Sequence, residues 1–231
     1  MQKIIHGLQL IRALLPSILF NFKKLPFSQA IKLPILIYKV KILTNNGKIR
    51  LNTDNISFGM IRLGFKTTDL FPNSGLVWRN EGNIIFNGKC AIGNDSYIIC
   101  GKKGQIDIGD NFYATGNFRI VSEVGITFGK NVLVGWGTIM LDTDFHPLFD
   151  ISTQVYKKAY GSVHIGDNNW FSSFCIVLHS VETSNNCVFG TRCLISHGGK
   201  YEENCLYVGT PAKCVRKNIR LDVDNRTLEY S

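Results

Sequence analysis

The sequence predicts a mostly β protein, wound as a solenoid, with a helical leader in front of it and one loop thrown out from it. Three observations carry that expectation. Inward-type residues recur every six positions through the second half of the chain, the recurrence breaks at one place and resumes, and the N-terminus is basic and free of acids. With 231 residues, 45% hydrophobic and 19% charged, the chain is long enough to bury a core without disulfide or metal staples and is not a disordered polymer.

The leader comes first. The formal charge of +9 suggests a polyanion partner, yet Lys3, Arg12, Lys23, Lys24, Lys32, Lys39, Lys41, Lys48 and Arg50 all precede the first acid, Asp54. The other 17 Lys and Arg are balanced by 17 Asp and Glu. With no DNA- or RNA-binding motif and a neutral body, nucleic acid is not an expected partner. Between Met1 and Phe20, residues Ile4, Ile5, Leu8, Ile11, Leu14, Leu15, Ile18 and Leu19 recur at steps of three and four, as on one face of an amphipathic helix. His6, Gln9 and Arg12 interrupt the apolar run and no A-x-A site follows, so neither a signal peptide nor a membrane span is predicted, and the expected location is cytoplasmic. Seven cysteines without a C-x-x-C pair fit buried thiols in a reducing compartment. Residues 1–45 are therefore read as a cap on the first coil, as a segment lying on the inner face of an anionic membrane, or as both. Residues 46–83 are read as an irregular β region leading into the solenoid.

The solenoid is expected over residues 84–212, with 213–231 as a tail. From Ile165 the six-residue column runs Ile165, Phe171, Val177, Thr183, Phe189, Ile195, and four places after each stands a second column, Asn169, Cys175, Val181, Cys187, Cys193. Upstream the phase is kept by Phe86, Ile92, Ile98, then Ile108, Ala114, Ile120, Ile126, then Phe128, Val134, Met140. An even period suits the alternating faces of a strand and not a helix of 3.6 residues per turn. Asn and Asp after Gly suit the corners because they tolerate left-handed backbone angles. After Met140 the phase fails, Pro147–Ser162 fits no hexad, and Val163 restarts the pattern, so 147–162 must loop out, with His146 at its root.

The spaced I-G-x-N runs, the D-T-D-F-H-P segment at Asp142–Pro147, the I-G-D-N-N-W run at Ile165–Trp170 and the V-G-T-P-A-K ending at Val208–Lys213 resemble the hexapeptide-repeat acyltransferases, and more narrowly the sugar O-acetyltransferases. The resemblance covers about residues 84–217. It implies a left-handed parallel β-helix, a homotrimer with active sites between subunits, a saccharide acceptor, and acetyl-coenzyme A as donor with no metal. His146 matches the family's catalytic base. Acyl transfer to a hydroxyl needs such a base, and an imidazole is the natural group, worth about 10²–10⁴-fold in rate. Asp142 and Asp144 stand four and two places before it, and either could orient the ring.

The resemblance also implies a donor site. Trp170 matches the aromatic beside the pantetheine channel, Ser173, Thr191 and Ser196 fall where the pantetheine amides are met, and Lys213 and Arg216 where cations meet the nucleotide phosphates. His197 stands where a Lys is common. On the acceptor side Thr115, with Asn117 two residues on, corresponds to a sugar-contacting position, Glu123 falls near an acidic one, and Tyr156 and Tyr160 on the loop could contact a saccharide. His164, His179 and His197 are read as surface or groove residues. The leading expectation is O-acetylation of a cell-surface polysaccharide or lipopolysaccharide precursor. The rivals are N-acetylation of a nucleotide-linked amino sugar or an amino acid, a trimeric zinc lyase, and a scaffold without catalysis.

Overall fold

The structure, a computed structural model, describes residues 2–72 and 75–224, with side chains from Gly7 onward. The expectations for the side chains of Lys3, Ile4, Ile5 and His6, and for the end of the tail, lie outside the described residues.

Three parallel sheets form the walls of a β-helix. Face A stacks the strands Ile35–Ile37, Ile61–Leu63, Cys90–Ile92, Phe112–Ala114, Leu133–Val134, Trp170–Phe171, Val188–Phe189 and Cys205–Val208, and ends with Lys213–Lys217 running antiparallel. Face B stacks Val40–Asn45, Leu76–Asn80, Ser96–Cys100, Arg119–Ser122, Ile139–Leu141, Ile176–Val177 and Leu194–Ile195. Face C runs from Lys48–Leu51 through Asn83–Phe86, Gln105–Ile108, Ile126–Phe128 and Val163–Ile165 to Glu182–Thr183.

Every residue of the six-residue columns is buried. On face A the ladder brings Ile92, Ala114, Val134, Phe171, Phe189 and Tyr207 into register, and on face C Phe86, Ile108, Phe128, Ile165 and Thr183. Phe171 and Phe189 stack in parallel with centroids 4.8 Å apart. Burying side chains of this size contributes about 1.5–3 kcal/mol each. The polar member of the second column is also satisfied: Asn169 donates to Thr183 Oγ1 at 2.6 Å and accepts from the Cys187 amide at 2.5 Å. At the corner between faces C and A, Asn111, Asn131, Asn168 and Asn186 all have positive φ, and each amide side chain donates to the next at 2.8–3.0 Å. Gly109 belongs to the same corner, where an added Cβ would overlap the carbonyl oxygen of Gly129.

The parallel ladders begin at Ile35 and not at residue 84. The coil of residues 35–51, and the next, 61–86, as far as residue 83, lie within what the sequence suggests is leader and irregular β. Excursions at 52–60 and after Leu63 break the count of six, so alternation survives there without the longer period.

The helix Gln2–Lys24 closes the open edge of the first coil. Its buried side bonds to the coil through two polar residues: Asn21 donates to the Ile35 carbonyl at 2.7 Å and accepts from its amide at 3.2 Å, and Ser17 Oγ accepts from the Ile37 amide at 2.9 Å. These bonds satisfy an edge that would otherwise be unpaired. Phe20 packs edge-on against Trp78 with centroids 5.7 Å apart. The cap therefore uses Gln9, Ala13, Ser17, Phe20 and Asn21, whereas Leu8, Ile11, Leu15 and Leu19 face out. No helix among the described residues is long and apolar enough to cross a membrane.

All seven cysteines are free, and six are buried. Burial pushes the Cys100 thiol up to about 11 and Cys187 to about 12, so neither forms thiolate near neutral pH. Iodoacetamide at pH 7.5 is expected to alkylate the folded protein once, at Cys214, and the other six only after denaturation, as read by intact mass and peptide mapping.

Candidate functional site

The loop between the strands Ile139–Leu141 and Val163–Ile165 leaves the helix at the corner of faces B and C. It is pinned at its root by an antiparallel bridge between Thr143 and Tyr160 and by the Asp144 amide donating to the Ala159 carbonyl at 2.8 Å. Beyond the root, Phe149–Asp150 pairs antiparallel with Val155–Tyr156. The arm is apolar and exposed along its length, at Leu148, Phe149, Ile151, Val155 and Tyr156.

Strict alternation from Met140 would aim residues 142, 144 and 146 inward. Asp142 does turn inward and is fully buried, but Phe145 adopts φ +61°, which rotates the chain and leaves His146 exposed at the base of the arm. The Asp142 carboxylate is taken up by the corner itself. It accepts from Ser122 Oγ at 2.7 Å and from the amides of Glu123, Val124 and Gly125 at 2.6–2.8 Å. Asp142 thus fastens the loop root to the preceding coil, with three donors on Oδ2 and the Glu123 amide on Oδ1.

Asp144 is paired with a different histidine. His179 Nε2 lies 3.1 Å from Asp144 Oδ2 and its Nδ1 3.1 Å from Ser180 Oγ, and the ring stacks on His197 at 5.4 Å between centroids. His179, expected from the sequence to be a surface or groove residue, is buried. The signal was available in the coil length, because residues 179 and 197 stand one coil of 18 apart and stack on the same corner as the loop root. With both ring nitrogens engaged, His179 holds Asp144 in place, whereas the exposed His146 ring is accessible to a substrate.

Beside the loop root, Arg79, Lys102, Lys103, Glu123, Val124, Thr143 and Tyr160 line a cleft of about 710 Å³. Arg79 Nε donates to Glu81 at 2.7 Å, and the carboxylate of Glu123 lies over Gly101. Glu123 and Tyr160 are thus brought together, while Tyr156 stands farther out on the arm.

The residues expected to hold a donor gather elsewhere. Ser173 and Thr191 lie on successive coils at the corner of faces A and B, beside the face A strands that carry Trp170 and Val188. Trp170 is half-buried, and its row on the ladder continues through Val188 and Leu206 to Arg216. Three strand spacings separate its ends, about 14 Å. An apolar track ending in an exposed guanidinium, with Lys213 on the same strand, suits a long thioester arm tipped with phosphates. Thr115 and Asn117 share this corner two coils earlier, where Thr115 Oγ1 donates to the Val134 carbonyl at 3.2 Å and Asn117 Nδ2 to Asp95 at 2.8 Å. Ser196 lies at the far end of its face B strand, toward His197, and its amide donates to Tyr201 Oη at 3.0 Å. In one chain face B separates the His146 cluster from the Trp170 cluster. Among the described residues, no group of three His, Cys, Asp or Glu side chains is arranged to hold a metal ion.

No known protein family's profile matches the chain. Among curated proteins it is similar to an uncharacterized 24.8 kDa protein in the cps region of Klebsiella pneumoniae, 28% identical over 138 residues, which are 58% of this chain and 60% of that one. The match therefore spans less than two thirds of the relative's length. Among solved structures it is similar to the polySia specific acetyltransferase NeuO, with a TM-score of 0.55 at 16% identity over 81% of this chain and 91% of that one. It is also similar to the polysialic acid O-acetyltransferase OatWY, with a TM-score of 0.45 at 22% identity over 84% and 81% of the two chains. What the likeness to NeuO establishes is the fold, a left-handed parallel β-helix of the hexapeptide-repeat kind.

Proposed function

We propose that the protein is an acetyl-coenzyme A-dependent O-acetyltransferase acting on a hydroxyl of a cell-surface polysaccharide or its precursor. The observation that carries this reading is the pair of half-sites on one chain: an accessible imidazole at the root of an arm on the corner of faces B and C, and an apolar track ending in cations along face A. A homotrimer that sets the first corner of one copy against the second corner of its neighbour would complete the site. The exposed apolar side chains of the arm, Leu148, Phe149, Ile151 and Val155, are suited to being covered in that contact.

In the proposed step His146 takes the proton of the acceptor hydroxyl as its oxygen attacks the thioester carbonyl. The tetrahedral intermediate collapses, the carbon–sulfur bond breaks, and the proton passes to the departing thiolate, leaving an ester and free coenzyme A. With Arg79 paired to Glu81, Lys102 and Lys103 still outnumber Glu123 in the lining of the cleft, which favours an acceptor bearing carboxylates or phosphates. The relative's place in a cps region and NeuO's action on polySia agree with such an acceptor.

Incubating the protein with labelled acetyl-coenzyme A and a panel of acidic and neutral surface polysaccharides tests the reading. Label recovered as a base-labile ester is the expected product. Label on nitrogen would favour the N-acetyl alternative, and neither coenzyme A release nor label on any acceptor would remove acetyl transfer. Arg216→Ala is expected to raise the KM for acetyl-coenzyme A about tenfold, as for one lost charge-assisted contact, with kcat little changed.

A further inference from the structure

We infer that the N-terminal helix docks the protein on an anionic lipid surface through its outward face, a role separate from its cap and independent of acetyl transfer. The helix is built with its apolar stripe on the wrong side for a cap. Leu8, Ile11, Leu15, Leu19 and Phe22 follow steps of three and four along one line, and each is 46–68% exposed. The opposite line, Gln9, Ala13, Ser17 and Asn21, is buried, and Ser17 and Asn21 bond to the first coil. Closing the coil therefore requires none of the outward residues. Past the helix the patch continues through Phe27, packed against Phe22 with centroids 5.9 Å apart, and Ile31, which are 70% and 60% exposed. So much contiguous apolar surface on a water-soluble face marks an interaction site.

Charge selects the occupant. Arg12, Lys23 and Lys32 are exposed around the stripe, Lys24 is tied to the carbonyls of Asn45 and Gly47, and Lys39 and Lys41 extend the cationic surface. No acid occurs before Asp54, so nothing in this region repels an anionic bilayer. An apolar stripe flanked by cations without acids is the pattern of a helix lying in the headgroup region, its side chains in the acyl boundary and its cations on lipid phosphates. A protein groove would be expected to meet acids or amides on such a face as often as bases.

The full-length protein should be tested by flotation with vesicles of phosphatidylcholine alone and of phosphatidylcholine mixed with phosphatidylglycerol. The wild type is expected to float with the mixed vesicles and at least about tenfold less with neutral ones. The triple change Ile11→Ser, Leu15→Ser, Leu19→Ser touches only exposed residues, so it should abolish flotation at an unchanged melting temperature. The change Arg12→Gln, Lys23→Gln, Lys32→Gln should weaken flotation about tenfold or more. Equal partitioning to neutral vesicles, no flotation of the wild type, or full flotation of the serine variant would overturn the inference. A serine variant that falls to a smaller oligomer in light scattering, beside a wild type that does not float, would instead make this face a contact between copies.

Discussion

Replacing His146 by alanine is expected to slow acetyl transfer about 10²–10⁴-fold, the usual contribution of a positioned general base, while saturable binding of the donor persists. The expectation rests on access. His146 is exposed at the base of the arm, whereas His179 has one ring nitrogen on Asp144 and the other on Ser180. His179→Asn removes one hydrogen bond to a carboxylate that lies two residues from the base, so it should cost no more than about tenfold. Steady-state rates of coenzyme A release for the two variants give the comparison. A His179 variant as inactive as the His146 variant would move the base to the buried ring.

Asp142→Ala is expected to be the most destabilising single change at the loop root. The buried carboxylate serves three backbone amides and the Ser122 hydroxyl, and its loss leaves those donors without an acceptor. Each orphaned buried group costs about 1–3 kcal/mol, and with partial relaxation a total of roughly 3–5 kcal/mol follows. In a chain of this size that lowers the melting temperature by roughly 6–20 °C, since each kcal/mol shifts it by about 2–4 °C. Activity should fall with it, because the arm and His146 hang from this anchor. If Asp142 instead oriented the imidazole, activity would be lost at an unaltered melting temperature, which calorimetry beside the rate assay would reveal.

The repeat was legible because one period of six both alternates faces and closes a turn, so Phe171, Phe189 and their stacked partners could be placed inside from spacing alone. Asn168 and Asn186 could be placed at corners by their backbone tolerance. Legibility ended where the chain leaves the count. The coil at 35–51 and the strands Ile61–Leu63 and Leu76–Asn80 of the next are hidden by the excursions between them, although the same alternation, as at Ile49 and Leu51 or Leu76 and Trp78, is present in them. Periodicity also found the apolar stripe of the leader without saying which side of the helix is buried. The edge of the first coil needs hydrogen bonds, and that demand selects Ser17 and Asn21 over leucines. At the site, His146 stood out by its motif, while the use of Asp142 and the pairing of Asp144 with His179 depend on how successive corners stack, at separations of 17–35 residues.

In the proposed enzyme acetyl transfer occurs between two copies, with His146 from one and the Trp170 track from the other. The most direct test mixes His146→Ala chains with Trp170→Ala chains, each expected to be strongly impaired alone, and assays the reassembled protein for coenzyme A release. Some interfaces of a mixed trimer would join an intact His146 to an intact Trp170, so recovery of a clear fraction of wild-type activity is expected. Mixed trimers no more active than either parent would contradict it.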